Sequence, residues 1–395
     1  MNAVSASARR LVFVLVPFLC ACGSVQKVGE WIGGDDDGYL TEVPSRLVIE
    51  TAWSESAGAR SRGDDAALLP LVGDERIYTC DVKGRVTAFA ASDGGTIWRK
   101  KLDVAASFGV GGGGDLVLVG TVEGEVIALD AESGDEAWRR RFGEEITAIS
   151  ASHRGAVVVR TADGGIFTLT ASTGRTRWKY REALPSLTLK GMSTPVFYRD
   201  IVFVGLDNGR LLLMNLNNGR IVQEMKLGIS IGGSDLDRIV DVDGRMVVRG
   251  DFFYAAAYQG RMIAVDVKRG KLLWTVDASS YAGLDVDEDN VYVVTVDNRV
   301  VAFDRFSGRQ LWSNGELLKS GLSAPLRIGS LVVVGSERGD LYWLSRKSGA
   351  LLERTDVASS ALAAPLAAGR RKVAVLDRGG DLSVVAIAGV RKAER

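Results

Sequence analysis

The stretch Gly114–Trp138, GDLVLVGTVEGEVIALDAESGDEAW, contains the structural unit from which the chain is built. Two apolar runs, Leu116–Val119 and Val126–Leu129, are separated by a glycine turn, and a second turn ends at Gly134, four residues before the tryptophan. Short runs of Val, Ile and Leu bounded by Gly, Asp and Ser predict β-strands joined by tight turns. We therefore predict that this stretch forms consecutive strands of one small sheet.

The same unit recurs at spacings of 38 to 51 residues. In five copies a tryptophan follows the turn glycine by four residues: Gly94 and Trp98, Gly134 and Trp138, Gly174 and Trp178, Gly270 and Trp274, Gly308 and Trp312. Two further copies keep the glycine and lose the indole: Gly219 with Gln223, and Gly349 with Glu353. A period near 40 residues composed of four short strands is typical of a β-propeller.

A single four-stranded sheet cannot cover both of its own faces, so such sheets must stack as blades around an axis. Strands such as Val157–Val159 and Val332–Val334 are continuously apolar, as expected where both faces are covered. We expect the turn glycines to adopt positive φ. Each tryptophan should then reach across to a neighbouring blade.

The two ends of the globular part are predicted to share one blade. Ala361–Ala367, Val373–Leu376 and Leu382–Ile387 supply three strands, and Leu47–Trp53 can supply the fourth. Pairing the N-terminal strand with the last blade removes an open sheet edge and closes the ring. We predict an all-β, eight-bladed β-propeller of four-stranded antiparallel blades, with seven blades as the alternative. Trp53 then takes the same structural position as Trp138.

Residues 1–21 have the features of an export signal. Two arginines precede an apolar run, Leu11–Leu19, that is too short for a bilayer-spanning helix of about 20 residues. Leu19–Gly23 resembles a bacterial lipobox, which implies that Cys22 is the lipidated first residue of the mature chain. Gly23 stands directly after this cysteine, and a glycine rather than an aspartate at this position resembles lipoproteins that are sorted to the outer membrane. An ordinary cleaved signal is the alternative.

The chain is predicted to contain a lipoprotein signal peptide at 1–21, a flexible tether at 22–45, the propeller at 46–389 and a basic tail at 390–395. The tether is polar and lacks a hydrophobic period. Its run Asp35–Asp37 is interpreted as solvated charge rather than as a cation site.

Charge and cysteine content exclude some classes of partner. Basic and acidic residues number 49 each, so no excess of positive charge suggests a nucleic acid partner. Of the three cysteines, Cys20 leaves with the signal and Cys22 carries lipid in this interpretation. Cys80 is then expected to be a small buried residue without a disulfide partner.

Residue patterns that could carry chemistry each have a simpler interpretation. The only histidine, His153, lies in a predicted turn. Gly109–Gly114 matches G-x-G-x-x-G but is followed by a strand rather than a helix, so we interpret it as a flexible connection. Asp285, Asp287 and Asp289 imitate a calcium loop but lack its later glycine and glutamate, which favours a hairpin turn. We expect no catalytic residue, no metal site and no cofactor.

Two long intervals interrupt the repeat, at Leu184–Pro195 and Gly232–Gly244. Extra length in a repeat array maps to loops, often on the binding face. The first interval alternates Leu187 and Leu189 with polar residues, which suits a segment that packs on another chain. The second places several charged residues close together: Asp235, Asp237, Arg238, Asp241 and Asp243. Simple surface turns are the alternative.

The repeat Asp-x-x-x-Gly-x-x-x-Trp resembles the quinoprotein-type propeller. Together with the lipobox, the motifs Pro185–Gly191, Leu236–Arg238 and Asp241–Asp243 resemble the BamB family of periplasmic lipoproteins. The resemblance covers essentially the whole chain. It implies a non-enzymatic scaffold of the outer-membrane β-barrel assembly (Bam) complex, lipid-anchored at the periplasmic face of the outer membrane, that assists folding and insertion of outer-membrane proteins.

The resemblance also implies partners and a docking face. The partners would be the POTRA domains of BamA and other Bam lipoproteins, and unfolded outer-membrane proteins would be clients. The docking face would contain Leu187, Leu189, Lys190, Arg238, Asp241 and Asp243. The family often has arginine where this chain has Lys190, and lysine lacks the bidentate fork of arginine. The alternatives are a quinone-dependent dehydrogenase, whose adjacent cysteine pair this chain lacks, and a generic periplasmic protein-binding propeller.

Overall fold

The computed structural model describes residues 46–59, 67–182, 193–227, 242 and 244–391. The predicted signal, the tether and Cys22 lie outside these residues, as do the last four residues of the predicted tail. Within the described residues the chain forms eight sheets, each with four antiparallel strands that we number as one blade.

The strands follow one another in a regular order. Blade 1 contains β3 (Leu71–Val72), β4 (Arg76–Cys80), β5 (Arg85–Ala90) and β6 (Thr96–Lys101), and blade 2 contains β7 (Ala106–Gly113), β8 (Leu116–Thr121), β9 (Glu125–Asp130) and β10 (Glu136–Arg141). Blade 3 contains β11 (Ile146–Ile149), β12 (Ala156–Thr161), β13 (Gly165–Thr170) and β14 (Thr176–Arg181), and blade 4 contains β15 (Val196–Tyr198), β16 (Ile201–Gly205), β17 (Arg210–Asn215) and β18 (Ile221–Lys226). Blade 5 contains β19 (Val247–Arg249), β20 (Phe252–Ala256), β21 (Met262–Asp266) and β22 (Lys271–Val276), and blade 6 contains β23 (Leu284–Val286), β24 (Asn290–Val294), β25 (Val300–Asp304) and β26 (Gln310–Asn314). Blade 7 contains β27 (Leu326–Ile328), β28 (Leu331–Gly335), β29 (Asp340–Ser345) and β30 (Leu351–Asp356), and blade 8 contains β31 (Leu366–Ala367), β32 (Lys372–Leu376), β33 (Asp381–Val390) and β1 (Leu47–Ser56).

Blade 8 joins the two ends of the chain, as predicted. Strand β1 pairs antiparallel with β33 over the full length of both strands, from Leu47 opposite Val390 to Ser56 opposite Asp381. The backbone N–H of Leu47 also donates to the Glu353 carboxylate of blade 7 at 3.1 Å. The N-terminal strand therefore removes the free edge of the last sheet and ties it to the preceding blade. The eight-bladed fold predicted from the repeats is confirmed.

Gly109–Gly114 is not the flexible connection that the sequence analysis predicted. It belongs largely to strand β7, which pairs with β8 in blade 2. A Cβ atom on Gly111 would lie 2.9 Å from the Cβ of Ile149 in blade 3, closer than real Cβ atoms approach. Gly111 is therefore required by the close approach of two inner strands. Blade 2 also gains a short fifth strand, β2 (Ala67–Leu68), which pairs in parallel with β7.

A repeated contact between a tryptophan and a glycine joins neighbouring blades. Trp138 of blade 2 lies against Gly174 of blade 3 and donates its indole N–H to the Ala171 carbonyl at 2.8 Å. The same arrangement joins Trp53 to Ala91 (3.3 Å), Trp98 to Ala131 (3.1 Å), Trp178 to Leu216 (2.7 Å), Trp274 to Arg305 (2.9 Å) and Trp312 to Arg346 (3.0 Å). Each indole thus fills an apolar gap and satisfies its polar N–H.

The turn glycines allow a direct test of this contact. Gly174 and Gly270 have nearly the same backbone, with φ of +64° and +63°. A Cβ on Gly174 would lie 2.5 Å from the Trp138 ring, whereas a Cβ on Gly270 would have no described atom within 4 Å other than those of its chain neighbours. We expect Gly270→Ala to cost about 1–2 kcal/mol from the left-handed backbone alone. Gly174→Ala should cost about 1–3 kcal/mol more because the methyl group displaces the indole.

The measurement is chemical denaturation of both variants beside the unmodified protein, followed by tryptophan fluorescence and circular dichroism. Equal destabilisation by the two substitutions would show that the indole contact adds nothing to the backbone strain.

Candidate functional site

The six residues predicted to bind partners lie outside the described residues. We call residues 183–192 the first segment and residues 228–243 the second segment; within the second, the structure describes Val242. Leu187, Leu189 and Lys190 belong to the first segment, and Arg238, Asp241 and Asp243 to the second. The structure describes the flanking residues Glu182, Ser193 and Leu227, which lie on blade 4 or at its boundary with blade 3.

The C-terminal ends of the two segments meet at one glycine. A Cβ on Gly205, the last residue of β16, would lie 2.7 Å from the Ser193 hydroxyl oxygen and 2.7 Å from the Val242 carbonyl oxygen. Ser193 and Val242 are both buried. Only a glycine leaves room for both chains, so the ends of the first and second segments are held against the same point.

The N-terminal ends are fixed to the same part of the ring. The backbone N–H of Glu182, just before the first segment, donates to the Gly164 carbonyl at 3.0 Å. The N–H of Leu227, just before the second segment, donates to the Gly209 carbonyl at 2.9 Å. Gly209 lies in the turn between β16 and β17. Blade 4 and its contact with blade 3 therefore hold both segments.

Arg210, the first residue of β17, connects the two starting points. Its guanidinium forms ion pairs with Glu182 and with Glu224, the latter at 2.5 Å, and Tyr180 donates a hydrogen bond to Glu182 at 2.7 Å. The hydrogen bond to the Glu182 carboxylate raises the pKa of the Tyr180 hydroxyl above its ordinary value. The hydrogen bond to Glu224 and the negative charge of Glu182 raise the pKa of the Arg210 guanidinium above its ordinary value. Arg210 is therefore positively charged and Tyr180 is neutral at neutral pH.

A buried ion pair supports the point where the first segment returns. Arg160 of blade 3 lies 2.6 Å from the Asp207 carboxylate of blade 4, and the two side chains are 4% and 10% exposed. The second terminal nitrogen of the Arg160 guanidinium, Nη1, donates a hydrogen bond to the Ser193 hydroxyl at 3.4 Å. A charge pair this well shielded gives a rigid cross-blade connection beside the Gly205 contact.

Sequence reasoning did not identify this supporting network. A signal was present, because Arg160 directly follows the apolar run Ala156–Val159 in the same strand and a buried arginine requires a partner. Asp207, however, is 47 residues away in sequence and lies in an ordinary Asp-Asn-Gly turn. Only the packing of blade 3 against blade 4 brings the two together.

The residues whose sequence pattern resembled catalytic or metal-binding sites form contacts that stabilise turns and the core. His153 lies in a turn as expected, where its Nε2 lies 2.7 Å from the Arg199 carbonyl oxygen and its ring stacks on Phe197. Asp287 and Asp289 lie in the connection between the paired strands β23 and β24, which confirms the hairpin. Cys80 is buried, and burial raises the pKa of its thiol.

A cavity of about 560 Å³ lies between blades 1 and 8 and is bordered on the other side by Tyr281 and Glu337. Asp81, which lines it, accepts hydrogen bonds from the backbone N–H groups of Ala59, Lys83 and Arg85, each at 2.9 Å. This carboxylate therefore holds the inner turns together. Across the described ranges, no three His, Cys, Asp or Glu side chains are grouped so that they could hold a metal ion. Over the same ranges, no helix is both long and apolar enough to cross a membrane.

The fold and the repeated indole–glycine contacts define an eight-bladed propeller of the PQQ-like repeat class. A family model described as outer membrane protein assembly factor BamB matches residues 82–314 and 296–390. The chain is 48% identical over 321 residues to outer membrane protein assembly factor BamB of Pseudomonas aeruginosa, covering 81% of this chain and 84% of that one. The chain belongs to the BamB family.

Solved structures agree in fold. The crystal structure of BamB from Moraxella catarrhalis superposes with a TM-score of 0.77 at 26% identity, over 86% of this chain and 100% of that one. A quinohemoprotein alcohol dehydrogenase from Comamonas testosteroni superposes with a TM-score of 0.69 at 16% identity, over 88% of this chain and 78% of that one. The second likeness concerns the fold alone.

Proposed function

We propose that this chain is a scaffold of the outer-membrane β-barrel assembly machinery that docks on the POTRA domains of BamA through its first and second segments. Membership of the BamB family supports the general role. The observation that carries the site assignment is the convergence of both segments at Gly205, where Ser193 and Val242 are in contact with the same residue. Two segments with this origin can present one continuous surface.

The composition of the two segments suits a protein partner. Leu187 and Leu189 supply apolar surface, and Lys190 together with Asp241 and Asp243 supplies charges of both signs. Apolar anchors surrounded by polar groups are typical of protein–protein contacts, and exposed charges on the rim contribute only about 0–1 kcal/mol each. The network around Arg210 and Asp207 holds the ends of the segments before binding. Less conformational freedom is then lost when the partner binds.

The proposal includes a membrane anchor. An acyl chain on Cys22 would hold the ring at the periplasmic face of the outer membrane, with docking on the assembly complex as the second attachment. The scaffold would orient the POTRA domains and assist the folding and insertion of outer-membrane proteins. Other Bam lipoproteins would share the complex.

The test is co-purification with BamA from solubilised outer membranes. We expect the double variant Leu187→Ala with Asp241→Ala to lose co-purification, because one anchor from each segment is removed. The matched control is Leu318→Ala with Asp277→Ala, which removes an exposed leucine and an exposed aspartate from blades 5 and 6. Circular dichroism must show that both proteins remain folded. Retained co-purification of the first variant would overturn the site assignment.

A further inference from the structure

The boundary between blades 4 and 5 lacks a tryptophan, although the turn glycine that an indole would contact is present. In blade 4, Gln223 pairs with Leu213 next to a β-bulge, at the register position where Trp178 pairs with Thr168 in blade 3. Trp274 pairs with Ala264 in the same way in blade 5. Gln223 therefore stands where a tryptophan would contact blade 5.

The receiving side of this contact is intact. Gly270 keeps the left-handed backbone of the other turn glycines, with φ of +63°. At the six indole contacts a Cβ on the glycine would lie 2.3 to 2.8 Å from the ring. Within the described part of the chain, no atom beyond the chain neighbours of Gly270 lies within 4 Å of that position. The Val267 carbonyl, which corresponds to the acceptor Ala171, receives no side-chain hydrogen bond from the described residues. Gln223 is exposed and does not cover this turn.

The other boundary without an indole is closed differently. Glu353 of blade 7 is buried and accepts the Leu47 backbone N–H, which belongs to the strand that completes blade 8. At the boundary between blades 4 and 5, Tyr198 donates a hydrogen bond to Asp251 at 2.6 Å, but among the described residues no side chain lies over Gly270. We call the surface formed by Val267 and Gly270, which the exposed Gln223 side chain leaves uncovered, the open wedge position.

Apolar and basic residues lie next in sequence to the open wedge position and to Gln223. Val222 of β18 is 59% exposed and Leu272 of β22 is 52% exposed, so both outer strands present apolar surface. The turn itself reads Lys268-Arg269-Gly270-Lys271. Arg269 pairs with Asp266 at 2.7 Å and Lys268 lies 4.0 Å from Asp251, so the three cations exceed the nearby carboxylates.

We propose that the open wedge position binds a tryptophan side chain from an acidic, extended segment of a partner protein. The six filled boundaries show which group fits: an indole that lies on the glycine and donates its N–H to the carbonyl three residues earlier. The excess of lysine and arginine at the turn selects acidic residues on either side of that tryptophan. Neither Val267 nor Gly270 belongs to the two segments proposed to dock on BamA.

The probe is a fluorescein-labelled peptide with one tryptophan between aspartate and glutamate residues, measured by fluorescence anisotropy. The reference peptide has alanine in place of the tryptophan. We expect the unmodified protein to bind the tryptophan peptide at least about tenfold more tightly than the alanine peptide, as for a buried aromatic anchor. Equal binding of the two peptides, or no binding of either, would overturn the proposal.

Variants of the protein test the location. Gln223→Trp supplies the missing indole from the chain itself, so it should weaken peptide binding at least about tenfold and raise the melting temperature. Gln223→Ala is the matched control and should bind as the unmodified protein does.

Lys268→Glu with Lys271→Glu should weaken binding without relying on the packing of a new indole. Unchanged binding in both Gln223→Trp and the charge-reversed variant would place the peptide elsewhere and overturn the assignment. Leu187→Ala with Asp241→Ala should leave peptide binding unchanged, which separates this test from that of BamA docking.

Discussion

Trp138→Ala should lower the free energy of unfolding by about 3–5 kcal/mol, the usual range for truncating a buried tryptophan. The Trp138 side chain is almost completely buried between blades 2 and 3. Its removal leaves a cavity against Gly174 and takes the indole donor from the Ala171 carbonyl. Because blades 2 and 3 depend on each other for burial, the loss should affect the whole ring. Equilibrium denaturation in guanidinium chloride measures the change.

The control is Gln223→Ala, which alters the corresponding position in blade 4. That side chain is exposed and fills no gap, so we expect a change within about 0.5 kcal/mol. A substitution at Trp138 that costs no more than the one at Gln223 would contradict the structural role given to the indoles.

Asp207→Ala should also destabilise the protein by about 3–5 kcal/mol, because it leaves the Arg160 guanidinium buried without its carboxylate. The effect should extend to the first segment, since Arg160 also donates to Ser193 where that segment returns to the ring. We therefore expect both a lower denaturation midpoint and faster proteolysis within residues 183–192. Limited proteolysis followed by mass spectrometry locates the cleavage.

Two comparisons show whether burial is the cause. Asp277→Ala removes the carboxylate from an ion pair of similar length with Arg261, 2.9 Å, but Asp277 is 87% exposed, so the cost should be about 0–1 kcal/mol. The double variant Arg160→Met with Asp207→Leu replaces both charges by apolar groups and should recover most of the stability lost in Asp207→Ala. Similar losses for Asp207→Ala and Asp277→Ala would argue against a special role for the buried pair.

Local features of the sequence were sufficient to predict the ring. The spacing between a turn glycine and a tryptophan reflects one turn and one strand, as at Gly134 and Trp138, so its recurrence identifies the blades directly. The split blade was also predictable, because Leu47–Trp53 is a strand with a tryptophan but no preceding repeat. These inferences depend on short-range geometry and on burial of apolar faces.

Predictions failed or were missing where two distant parts of the chain approach each other. Gly109–Gly114 has the composition of a flexible loop, but in the ring Gly111 must pass close to Ile149 of the next blade. The Arg160–Asp207 pair joins two blades and has no signature in sequence spacing. A local pattern cannot report which atoms lie on the other side of a boundary between blades.

The sequence by itself determined that this chain is a β-propeller and favoured eight blades over seven, because strand period, turn glycines and apolar runs are properties of consecutive residues. It also showed that Gln223 replaces a tryptophan. Only the tertiary structure decided what that replacement means: in the described part of the chain no side chain covers Gly270, whereas Glu353, the other replacement, is buried against the N-terminal strand. The physical reason is that the space a side chain leaves open depends on the neighbouring blade.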